Sequence, residues 1–147
     1  MGNIRVEGKK LIYQRKDELT IIEPYGMNCL RCRSTKNSKI LDENWTVLPP
    51  ATADDCHIEC DGRFATITNG AMKATIDAGQ IWYGGIITYF KKDTPVLHTR
   101  FEGDYSNRNQ HIEGDHYKIS VIFDANEGEH FYGIGQEQVD LFDRKGG

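Results

Sequence analysis

Apolar and polar residues alternate along this chain with a period of two over most of its length. The clearest stretch runs from Phe64 to Ile76: Ala65 and Ile67 alternate before Asn69-Gly70, and Met72, Ala74 and Ile76 alternate after it. Successive side chains of a strand point to opposite faces, so this alternation predicts half-buried strands. Asn-Gly between two such runs predicts a hairpin, because both residues tolerate the positive φ of a type I′ turn. Tyr117, Ile119, Val121 and Phe123 form another period-two face, with Lys118, Ser120 and Ile122 opposite. Residues 86–91 and 96–101 flank Lys92-Asp93-Thr94-Pro95, whose composition suits a turn. Residues 11–15, 19–23, 28–34 and 56–61 complete the predicted strands. No eleven-residue window carries a capped apolar stripe of helical period. Many short strands with regular turn signals predict an all-β chain, an antiparallel β-sandwich. Two polar stretches, 37–44 and 103–114, read as loops, and there is no internal repeat.

At 147 residues the chain is one domain by the usual size prior. A domain of this size buries about two-thirds of its unfolded surface, so it folds without a disulfide or a metal. With 18 Lys+Arg against 22 Asp+Glu, the balance argues against nucleic acid as a partner, since phosphate binding needs clustered cations. The basic pairs Lys9-Lys10 and Lys91-Lys92 read as solvated hairpin ends. No apolar run approaches the roughly 20 residues of a membrane span, and the N-terminus lacks a signal-peptide apolar core. The chain reads as cytoplasmic, or as one trimmed of a targeting sequence, with no membrane partner.

Cys29-x-x-Cys32 and Cys56-x-x-x-Cys60 offer four thiols to a zinc ion. On an extended strand, residues three apart face opposite ways, so Cys29 and Cys32 do not both reach one metal. Cys56, Ile58 and Cys60 share one face, as buried small hydrophobes do. All four are therefore expected as core residues and free thiols of a reducing compartment, with no metal site. His111 and His116 flank Glu113 and Asp115; the stretch reads as a solvated acidic loop, poorer in oxygen ligands than hard-cation sites usually are. No cofactor is implied.

The end of the chain is its most distinctive part. Phe131-Tyr132 leads into Gly133-Ile134-Gly135, followed by Gln136, Glu137, Gln138, Asp140, Asp143, Arg144 and Lys145. Alternate glycines let a backbone bend or approach another surface closely. This run, residues 129–136 with Phe142-Asp-Arg-Lys-Gly146 after it, resembles the end of the N-terminal domain of glycoside hydrolase family 31, which includes α-glucosidases and α-xylosidases. Residues 23–33, a Pro-Tyr-Gly turn leading into Leu30-Arg-Cys-Arg33, and residues 43–50, with Trp45, match the same domain in the same order.

The resemblance implies a galactose-mutarotase-like sandwich that docks on a catalytic (β/α)8 barrel further along the same chain. Both catalytic aspartates of such a retaining enzyme would come from that barrel, so no catalytic residue is assigned here and this chain alone is expected to be inactive. It also implies that the segment after the Tyr-Gly-Ile-Gly-Gln motif shapes the rim of the sugar site. The matching positions are Phe142, Asp143, Arg144 and Lys145, with Gln136 and Gln138 as second candidates, and the substrate of the whole enzyme would be an α-linked oligosaccharide or glycoside. Many α-glucosidases carry Asn-Arg-Asp where this chain has Asp143-Arg144-Lys145. An aspartate accepts hydrogen bonds from sugar hydroxyls whereas a lysine only donates, so substrate preference stays open.

Two other readings stand beside this one. An autonomous carbohydrate-binding module would present Trp82, Tyr83, Tyr89 or Tyr105 as exposed, aligned rings. A small epimerase would need converging acid and base groups. Glu102, Asp104, Glu113 and Asp115 sit in polar surroundings with nothing apolar to raise one carboxyl selectively.

Overall fold

The computed structural model describes residues 2–15, 18–45, 47–49, 55–79, 86–100, 108–113, 116–121, 127–128 and 130. Among these every regular element is a strand. β1 (Asn3–Glu7), β2 (Lys10–Gln14), β3 (Leu19–Pro24) and β4 (Leu30–Thr35) form one sheet. β5 (Cys56–Cys60), β6 (Phe64–Asn69), β7 (Met72–Asp77), β8 (Ile86–Lys91) and β9 (Thr94–Arg100) form a second. β10 (Arg108–Glu113) and β11 (His116–Val121) pair as a separate ribbon. All pairs are antiparallel, and within each sheet every strand neighbours the next in sequence, the meander that short connections produce.

The two larger sheets stack, with β1 over β5, β3 over β6 and β4 over β7. Their facing residues make one core of Ile4, Leu11, Tyr13 and Ile22 against Ala65, Ile67, Ala74, Ile76, Ala78 and Ile87. The predicted alternation thus has its cause in burial: Ala65, Ile67, Ala74 and Ile76 turn inward, while Phe64 at the strand's start stays exposed. Thr66, Thr68 and Thr75 turn outward and are half-buried. The antiparallel sandwich is the fold that the alternation predicts.

Several local expectations are corrected. Asn69 is not a turn residue: it pairs with Met72, and the two-residue turn is Gly70-Ala71. Only Gly70 takes a positive φ there, which is the pattern of a type II′ turn. The buried Asn69 instead spans the sandwich, its Nδ2 donating to the carbonyls of Gly26 (2.8 Å) and Cys29 (2.6 Å). Asn28 Oδ1 answers by accepting from the Ala71 amide at 2.7 Å. A side chain at position 70 would collide with that carbonyl oxygen, so glycine is needed for space as well as for φ. Two turns, one from each sheet, are clasped by this exchange.

Thr94 and Pro95 belong to β9 rather than to the preceding turn, which is Lys92-Asp93. Pro95 is tolerated because β9 is an edge strand, with a register shift at Tyr89/Phe90 of its partner. Residues 108–113, read as part of a polar loop, form β10, which pairs with β11 through backbone bonds that do not depend on side-chain composition. His111, Glu113 and His116 therefore lie on a strand pair rather than in a loop. β1 had no strong apolar signal, since Ile4 and Val6 are its only apolar residues.

The cysteines are free, but they are not core residues: Cys29, Cys32 and Cys60 are exposed and Cys56 is half-buried. β4 and β5 are edge strands, so their side chains are covered from fewer directions than those of β2, β3, β6 or β7. Cys56 and Ile58 do pack against the core, as the shared face predicts. Burial pushes the Cys56 thiol above its ordinary range, with Lys9 opposing.

Candidate docking face

The rim candidates Gln136, Gln138, Phe142, Asp143, Arg144 and Lys145 lie outside the described residues, as do Trp82, Tyr83 and Tyr105. Of the four rings considered for sugar stacking, Tyr89 alone is described, and it packs half-buried against the core rather than standing out as a platform. Among the described residues, the chemistry gathers elsewhere, on the outer face of the first sheet.

The alternation of Leu30-Arg31-Cys32-Arg33 puts both arginines on one face of β4, and the register sets Arg31 opposite Glu23 and Arg33 opposite Ile21. Glu23 is buried, its side chain only 9% exposed. Its Oε1 accepts from Arg31 Nε at 2.9 Å and from Arg33 Nη2 at 2.7 Å, while Lys10 Nζ stands 3.7 Å from Oε2. One buried carboxylate thus holds two guanidinium groups, the arrangement that makes a buried charge tolerable.

Each arginine then reaches outward to a different part of the segment 36–49. Arg33 Nη1 donates to the Leu41 carbonyl at 3.2 Å and lies 3.7 Å from Asp42 Oδ1. Arg31 lies over the ring of Tyr25, 4.3 Å from its centroid, a cation–π stack. The Tyr25 hydroxyl donates to the Leu48 carbonyl at 2.9 Å and accepts from Asn44 Nδ2 at 2.6 Å. Asn44 Nδ2 also donates to the Val47 carbonyl, and Trp45 Nε1 donates to Glu43 Oε2 at 2.9 Å.

The carbonyls of Leu41, Val47 and Leu48 are engaged by side chains, while every described residue of 41–49 is exposed, the apolar ones included. Trp45 is 85% exposed and Leu48 86%; Leu41 and Val47 are exposed as well. A free loop would fold such side chains inward, because burying each one gains roughly 1.5–3 kcal/mol. Here the tethers at Leu41, Asn44 and Leu48 hold them outward.

Sequence reasoning placed residues 23–33 and 43–50 in matched motifs but did not find the Glu23 hub. The i, i+2 spacing of Arg31 and Arg33 was the available signal; burial of the carboxylate between them was not.

On the other sheet, Glu59, Cys60, Asp61, Phe64, Ala65 and Thr66 line an open depression of about 310 Å³. Its carboxylates already hold partners. Asp61 Oδ1 accepts from the amides of Arg63 (2.8 Å) and Phe64 (2.6 Å), and Glu59 lies 3.2 Å from His57 Nε2. The Phe64 amide, with that of Arg63, holds the Asp61 carboxyl below its ordinary range. A group so held stays ionised and is unsuited to donate a proton at neutral pH. Among the described residues no helix is long and apolar enough to cross a membrane.

No family model matches the chain. A solved structure does resemble it: the crystal structure of a GH31 α-xylosidase from a soil metagenome, complexed with xylose, superposes with a TM-score of 0.79. The likeness covers 97% of this chain at 21% identity. The chain spans only 23% of the length of that enzyme. At this identity the likeness establishes the fold, and it falls in the family that the sequence motifs resemble.

Proposed function

We propose that this chain is a non-catalytic β-sandwich domain, of galactose-mutarotase-like kinship, from a family 31 α-glycosidase. In this reading it docks on the catalytic barrel of its own longer polypeptide and lends residues after the Tyr-Gly-Ile-Gly-Gln motif to the rim of the sugar site. Gln136, Gln138, Phe142, Asp143, Arg144 and Lys145 are the rim positions. The whole enzyme hydrolyses terminal α-glucosides or α-xylosides, and four free thiols suit a reducing, cytoplasmic setting.

The observation that carries the reading is the coincidence of two independent likenesses. Motifs at residues 23–33, 43–50 and 129–146 resemble one domain of this family in order, and the fold matches about a quarter of an α-xylosidase from the same family. The ordered, outward-facing apolar loop supports the docking part, because a domain that works against another needs a face to be covered.

Hydrolysis of aryl α-xylosides and α-glucosides tests it. The 147-residue chain should give no turnover, and the polypeptide from the full coding region should give robust turnover. Turnover by the 147 residues alone, or a full coding region without a barrel, would refute the proposal.

A further inference from the structure

We infer that the outward-held segment Leu41, Trp45, Val47 and Leu48 is the contact through which this domain seats on a following domain of the same polypeptide. The inference rests on the function proposed above and names the surface and the occupant.

Three observations choose the surface. It carries the two most exposed large apolar side chains described, Trp45 at 85% and Leu48 at 86%. Their exposure is imposed, because the loop carbonyls of Leu41, Val47 and Leu48 are taken by Arg33, Asn44 and Tyr25. The polar tethers trace back to one buried anion, Glu23, so the loop keeps its shape with nothing on it. A loop ordered before its partner arrives loses little entropy on docking.

The occupant follows from size. Side chains exposed this far present area all round, and a flat partner covers on the order of half of it, well short of the roughly 800 Å² per side of a stable free complex. A contact this small is stable when the partner is tethered and its effective concentration is millimolar or higher. That condition is met by a domain in the same chain and not by a second free copy. The fold match, in which this domain makes up 23% of a larger chain, supplies the kind of polypeptide required.

The test places a photo-crosslinking benzoylphenylalanine at Trp45 in the polypeptide encoded by the full coding region, with the same residue at Phe64 on the other sheet as a control. Irradiation and peptide mapping should give a crosslink within one polypeptide, from position 45 to residues beyond Gly147, and none from position 64. A crosslink joining two copies would overturn the inference in favour of a homodimer face. Absence of any crosslink at position 45 would overturn it outright. Either result with a barrel present and glycosidase activity intact leaves the proposed function standing, so the two fail separately. Trp45→Ser with Leu48→Ser should raise the barrel's susceptibility to limited proteolysis several-fold while the sandwich keeps its circular-dichroism spectrum.

Discussion

Glu23 is where a single oxygen-for-nitrogen exchange should reveal the most. Glu23→Gln keeps the side chain's shape and one carbonyl acceptor but removes the charge shared by Arg31 and Arg33. Removing one partner of a fully buried ion pair costs roughly 3–5 kcal/mol, because the remaining charge is stranded. The two arginine side chains are 19% and 18% exposed and Lys10 is 44% exposed, so water takes up part of that loss. The retained amide oxygen recovers part of one hydrogen bond, which leaves about 2–3 kcal/mol. For a domain of this length that lowers Tm by about 5–10 °C. Urea unfolding should show the midpoint falling with its slope unchanged. A double-mutant cycle with Arg33→Gln should give a coupling of at least about 1 kcal/mol. The hub also predicts a local effect: protease cleavage within residues 41–48 should accelerate in the variant far more than cleavage in β6 or β7. A stability change within about 0.5 kcal/mol, an additive cycle, or unchanged cleavage in the loop would refute the account of Glu23 as its anchor.

Other outcomes follow from the same geometry. Asn69→Ala deletes both hydrogen bonds to the opposite sheet and takes this donor from the Gly26 carbonyl, while the Cys29 carbonyl keeps the Tyr25 amide at 3.0 Å. The loss should cost roughly 1–3 kcal/mol in urea unfolding; Asn69→Asp, which adds a charge at a position 2% exposed, should be worse. Asp61 has a folded-state pKa below its unfolded value, so its contribution to stability is present above about pH 4 and is lost as pH falls through the lowered folded value. Asp61→Asn should accordingly flatten the acid limb of a urea-midpoint profile between pH 5 and 2; parallel profiles would contradict the assignment. Cys56, with its thiol pushed up by burial, should react with iodoacetamide at pH 8 more slowly than Cys29, Cys32 or Cys60, as peptide mapping of a time course would read out.

The class of fold and its core were legible before any coordinates. Ala65, Ile67, Ala74 and Ile76 alternate because a strand turns each successive side chain to the other face, and that rule is local. The bends marked at Asn69-Gly70 and at residues 92–95 fell within two residues of their place, whereas the β10–β11 hairpin lay in a stretch read as a loop. Asn69-Gly70 marked the right bend, but whether Asn69 served the turn or the opposite sheet depended on Gly26 and Cys29, more than forty residues away in the chain. The exposure of three cysteines had the same origin. A small apolar residue looks like core in any strand, and strand order alone put β4 and β5 at the edges of their sheets.

Arg31 and Arg33 could be set on one face from their spacing. That the face carried a buried carboxylate, and that the arginines reached past it to Leu41 and Tyr25, required β3 and β4 to pair in register and the segment 36–49 to fold back over them. Periodicity is written in neighbours along the chain, whereas charge pairing and the outward display of Trp45 arise between segments that meet only after folding.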